Sequence, residues 1–65
     1  GRADINAKNY VDQTPLFLAA ARADEKIVQL LLEKRGIEID ARNSNGYTPL
    51  SVAAVNGYEK VVTLL

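Results

Sequence analysis

The chain has 65 residues, nearly half of them hydrophobic, with eight Lys and Arg against eight Asp and Glu and no Cys or His. A hydrophobic fraction this high excludes a disordered tail, and a balanced charge without like-sign runs gives no electrostatic reason to expect nucleic acid or an anionic membrane as partner. The missing Cys and His exclude disulfide staples, ordinary zinc sites and Ser-His or Cys-His dyads, and the longest apolar run, Leu16 to Ala21, is far too short to span a bilayer.

In chain order, Asp4 to Ala7 reads, together with the preceding Ala3, as the close of one structural unit. Thr14 can cap a helix with its hydroxyl, and Pro15 suits the first helical position, where its missing N–H is no loss. Leu16, Ala19 and Ala20 then share one face of a short helix at i, i+3, i+4 spacing. Asp24 is the expected cap of a second helix. Ile27, Val28, Leu30, Leu31 and Leu32 are expected on its buried side, with Lys34, Arg35 and Gly36 at its end. From Ile37 to Arg42 the alternation of Ile37 and Ile39 with Glu38 and Asp40 predicts extended chain. Asn43-Ser44-Asn45-Gly46 then predicts a hairpin tip. Thr48, Pro49 and Gly57 repeat the cap, start and stop of the first short helix, and Glu59 opens a fourth helix.

Laid over itself at an offset of 34 residues, the sequence gives 13 identities in 31 aligned pairs, among them Thr14-Pro15-Leu16 with Thr48-Pro49-Leu50 and Ala19-Ala20 with Ala53-Ala54. A fixed period of this length is the signature of stacked structural repeats. Thr-Pro-Leu, then Ala-Ala, then the aliphatic block Ile27 to Leu32, then Gly36, resembles an ankyrin repeat over nearly the whole chain. Such repeats run to about 33 residues, and the spacing of the other anchors places the one extra residue in Glu33-Lys34-Arg35. The resemblance implies an all-α repeat solenoid of helix-turn-helix units linked by β-hairpin loops. Residues 1–8 are read as the end of a preceding repeat, 9–42 as one full repeat and 43–65 as a truncated one. The chain is therefore expected to be a fragment of a longer array, marginal without its neighbours.

Three departures from the family pattern stand out. Asp12 takes the place of a turn glycine that Gly46 keeps; Phe17 and Ser51 replace the histidine after Thr-Pro-Leu; and Ala23-Asp24 stands where a glycine is usual between the helices, whereas Gly57 keeps it.

No enzyme chemistry is expected. Glu38 with Asp40, and Asp24 with Glu25, are the nearest things to carboxylate pairs, and they read as solvated loop and cap charges. No cofactor, metal, nucleic acid or membrane is expected. The resemblance implies a protein partner met by the hairpin tips and the concave face of the first helices. Carried over position by position, this selects Lys8, Tyr10, Val11, Gln13, Ala21 and Arg22 in the first unit, and Arg42, Ser44, Asn45, Tyr47, Val55 and Asn56 in the second. Tyr10, Val11 and Tyr47 are large side chains at exposed tips, and Tyr is enriched at binding hot spots, although such tyrosines also stack on neighbouring tips. Lys8, Arg22 and Arg42 make the face mildly basic, which fits an acidic partner. The competing expectation is a spacer stacked within an ankyrin array or against another domain. An intracellular setting is the expected compartment.

Overall fold

A computed structural model describes residues 4–65 of the chain, and four α-helices account for its regular structure: α1 (Pro15–Ala21), α2 (Glu25–Leu32), α3 (Pro49–Val55) and α4 (Glu59–Leu64). No strand occurs among the described residues. The helices form two antiparallel pairs. Within each pair the helices pack on one another, and between pairs α1 lies on α3 and α2 on α4, giving an inner and an outer helical layer. The body measures 36 × 25 × 16 Å. Its thinnest dimension is thus little more than one helix diameter of about 10–12 Å, so every helix has one side without cover.

The caps follow from the sequence. Thr14 Oγ1 accepts from the Phe17 N–H at 3.1 Å, and Asp24 Oδ1 accepts from the Ile27 N–H at 3.3 Å, each satisfying a donor that the first helical turn leaves free. At α3 the cap is reciprocal: Thr48 Oγ1 accepts from the Ser51 N–H at 3.1 Å, while Ser51 Oγ accepts from the Thr48 N–H at 2.8 Å. This capping box shows what the serine in the histidine position does. Tyr58, which begins α4 in the place of Asp24, makes no side-chain cap.

Each inner helix ends in the same way. Ala23 N–H bonds the Ala20 carbonyl and Asp24 N–H the Ala19 carbonyl, just as Gly57 N–H bonds Ala54 and Tyr58 N–H bonds Ala53. This two-bond closure requires a left-handed residue directly after the helix cap. Gly57 meets the requirement with φ 72°, and Ala23, which carries a Cβ, is held at φ 56°. The interhelical turn lacking its glycine therefore has the same geometry as the turn that keeps it. The stretch one residue longer than the family period lies beyond α2. It forms a turn closed by the Ile37 N–H on the Lys34 carbonyl, with Gly36 at φ 82°. The segment 37–42, expected as extended chain, runs on without a strand ladder, and the backbone of each tip is closed by two hydrogen bonds, Asn9 with Gln13 and Asp12 in the first and Asn43 with Tyr47 and Gly46 in the second.

The core is a line of small and aliphatic side chains where the two pairs meet: Leu16, Ala19, Ala20, Val28, Ala53 and Val61. Phe17, in the place of the usual histidine, is buried as well. Two residues expected on the buried side of α2, Ile27 and Leu30, are instead exposed. Helical periodicity identified them as apolar, but no element covers that side of α2.

Candidate protein-binding surface

Both tips are built on one asparagine. Asn43 Oδ1 accepts from the N–H groups of Asn45 at 3.0 Å and Tyr47 at 2.9 Å, while the Asn43 N–H bonds the Tyr47 carbonyl and its own carbonyl accepts from Gly46. Asn9 does the same with Val11, Gln13 and Asp12, and adds a bond from Nδ2 to Gln13 Oε1 at 2.9 Å. The position that closes each turn needs a positive φ, and it is taken by Asp12 at 62° and Gly46 at 83°. Asp12 thus tolerates the left-handed region in place of glycine, as its short polar side chain allows.

The two tips are joined to one another. The Ser44 N–H donates to the Val11 carbonyl at 3.1 Å, and Lys8 Nζ donates to the Arg42 carbonyl at 3.2 Å. Behind them, Asn6 bridges to the chain after α2, donating from Nδ2 to the Gly36 carbonyl and accepting the Glu38 N–H, both at 2.9 Å. The two tips are therefore a connected polar layer rather than two loose loops.

On this layer Tyr10 is 98 % exposed and Tyr47 41 %. Val11, Ser44, Asn45 and Arg42 are also exposed, whereas Gln13 is half-buried and spends its amide oxygen on Asn9. Lys8 is exposed along its stem, but its ammonium already serves the neighbouring tip. Arg22 and Asn56 cap the far ends of α1 and α3. Seven helical residues at about 1.5 Å rise set them roughly 10 Å from the helix starts, at the end of each inner helix away from the tips. Half-buried Ala21 and exposed Val55 are the last residues of these helices and lie directly beside the caps. Asn56 Nδ2 is held by the Val52 carbonyl at 3.0 Å, leaving its oxygen outward. Neither Asn9 nor Asn43 was singled out as a site residue, yet both shape the surface. Their repetition at the 34-residue offset was the signal available.

A groove of about 400 Å³ lies on the opposite, outer side, lined by Glu25, Gln29, Glu59, Lys60, Thr63 and Leu64. It is shallow and open to water, without the enclosure usual for a small-molecule site. No group of three or more His, Cys, Asp or Glu that could hold a metal occurs among the described residues. No helix there is long and apolar enough to cross a membrane.

The decisive comparison is with protein families: the family described as ankyrin repeats, in three copies, matches residues 1–65. The chain belongs to the ankyrin-repeat family. No curated protein matches the sequence. Ankyrin repeats are in general protein-interaction modules and typically carry no enzymatic activity.

Proposed function

We propose that this ankyrin-repeat chain binds another protein through its joined tips, with Tyr10 and Tyr47 as anchors, Val11, Ser44 and Asn45 between them, and Arg22, Val55 and Asn56 as the outlying rim. The observation that carries this reading is the near-complete exposure of Tyr10 on a turn fixed by five hydrogen bonds through Asn9. A large amphipathic ring on a rigid support loses little conformational freedom when a partner covers it. Arg22 and Arg42 give the surface its free positive charge, which favours an acidic partner, while Lys8 contributes mainly to joining the tips. The unit boundaries follow the repeat, with residues 9–42 as one unit, 43–65 as the next and 1–8 belonging before them.

Tyr10→Ala and Tyr47→Ala, immobilised as bait beside the parent chain, should each lower recovery of a captured partner while leaving the helical circular dichroism unchanged. A partner that survives both changes but is lost on Glu59→Ala or Lys60→Ala would move the site to the outer groove and overturn the reading.

A further inference from the structure

The chain has five asparagines, and four of them use their side chains in hydrogen bonds. Asn6 ties to Gly36 and Glu38, Asn9 and Asn43 clamp the two tips, and Asn56 donates from Nδ2 to the Val52 carbonyl at 3.0 Å. Asn45 is the exception: it is exposed, and among the described residues no hydrogen bond uses its side chain. It also precedes a glycine, as Asn56 alone does besides. The two glycines are alike. Gly46 and Gly57 are both exposed, with nothing within 4 Å of where a Cβ would sit, and each donates its N–H to a carbonyl, that of Asn43 at 2.9 Å and that of Ala54 at 3.1 Å. The two Asn-Gly pairs therefore differ in the asparagine and in what surrounds the turn.

We propose that Asn45 is a site of self-modification, at which the chain loses ammonia through a succinimide. The Gly46 nitrogen gives up its proton to solvent base and bonds to Asn45 Cγ; the Cγ–Nδ2 bond breaks, and Nδ2 leaves as ammonia with a proton from water. Water is the other reactant. It opens the ring at one carbonyl to leave aspartate, or at the other to leave isoaspartate, in which the main chain runs through Cβ and Cγ. Glycine favours the attack because no side chain obstructs the approach of its nitrogen. For the bond to form, Asn45 Cγ must swing onto that nitrogen, and the Gly46 N–H must leave the Asn43 carbonyl. At the tip both movements are local, since the side chain is free and a single turn closure opens. At Asn56 the amide must first leave Val52, and Gly57 lies in an interhelical turn whose next residue, Tyr58, bonds Ala53 and packs on the core, so freeing it means parting α3 from α4. Isoaspartate lengthens the main chain inside the Asn43 clamp, and either product puts a carboxylate on the tip that carries Arg42. Weaker binding of an acidic partner by the modified chain is a consequence that rests on the binding surface proposed above; the site itself does not.

The test is to age the chain at mildly alkaline pH with its helical circular dichroism intact, and to locate any mass gain by fragmentation of its peptides. Asn45 should become heavier by the difference between water and ammonia, with aspartate and isoaspartate separating as two products. It should do so at least roughly fivefold faster than Asn56, a factor within reach of the one net hydrogen bond that the Asn56 amide must break. In strong urea, where neither asparagine is held, the two rates should converge. The rate at Asn45 should rise with pH, because the attacking nitrogen must lose its proton, and Asn45→Gln should abolish the gain there while leaving Asn56 unchanged. Equal rates in the folded chain, a faster Asn56, a gain at Asn43 in place of Asn45, or a difference that persists undiminished in urea would overturn the proposal.

Discussion

Exchanging the residues at the two interhelical turns tests whether backbone conformation, rather than packing, sets their stability. Ala23 and Gly57 occupy the same place in the same two-bond closure, at φ 56° and 72°. A Cβ in the left-handed region costs about 1–2 kcal/mol, and glycine gives back about 0.4–1 kcal/mol through the greater freedom of the unfolded chain. Ala23 is also half-buried against the core, so removing its methyl forfeits about 0.4 kcal/mol, half the value of a fully buried methylene. Ala23→Gly should therefore stabilise by about 0.5 kcal/mol. At Gly57 nothing lies within 4 Å of where a Cβ would sit, so Gly57→Ala meets no clash and gains no packing, and should destabilise by about 0.8 kcal/mol from strain less entropy. For a domain of this size the expected shifts are about 2–4 °C upward and about 3–6 °C downward. Thermal and urea unfolding followed by circular dichroism at 222 nm would read both. A neutral Gly57→Ala would refute the strain argument; a destabilising Ala23→Gly would show that the methyl contact outweighs it.

Asp12→Gly should be neutral or slightly stabilising by the same conformational reasoning, and a clear drop in melting temperature would reveal a bond made by the carboxylate. Thr48→Ala should cost about 1 kcal/mol and Ser51→Ala less, because the first removes the acceptor for a helical N–H and the second only the return bond; equal losses in urea denaturation would show that the box acts as one unit. Asn43→Asp should be tolerated, since a carboxylate keeps both acceptor contacts, whereas Asn43→Leu strands the N–H groups of Asn45 and Tyr47 and should cost about 1 kcal/mol, with faster amide exchange at those two residues as the local sign.

Much of the fold was legible because the signals are local. Thr14, Thr48 and Asp24 have the right chemistry one residue before an apolar period, and Pro15 and Pro49 fit only a helix start. The positive φ at Asp12 was legible from Gly46, since equivalent places in a repeat share backbone geometry. The Ser51 bond was not read, because the serine was seen as a missing histidine; its place three residues after the Thr48 cap was the available clue. The exposure of Ile27 and Leu30 could not come from periodicity, which gives the apolar side of a helix but not what lies against it. The binding surface was legible in part. Exposed tyrosines at tips follow from turn chemistry, but the bond from Lys8 to the Arg42 carbonyl depends on how close two tips come, a distance no single unit encodes.

The asparagine clamps have a consequence for how such a surface changes over generations. Asn9 and Asn43 close their turns on backbone N–H and carbonyl groups and on Gln13, and among the described residues no side-chain hydrogen bond uses the side chains of Tyr10, Val11, Ser44 or Asn45. Substitutions at those four positions, proline apart, keep the side-chain clamps and the backbone donors of Val11, Ser44 and Asn45 in place. Selection on partner choice can act there free of selection on folding, so lineages that share this backbone can diverge in what they recognise one tip residue at a time, without passing through an unfolded intermediate sequence.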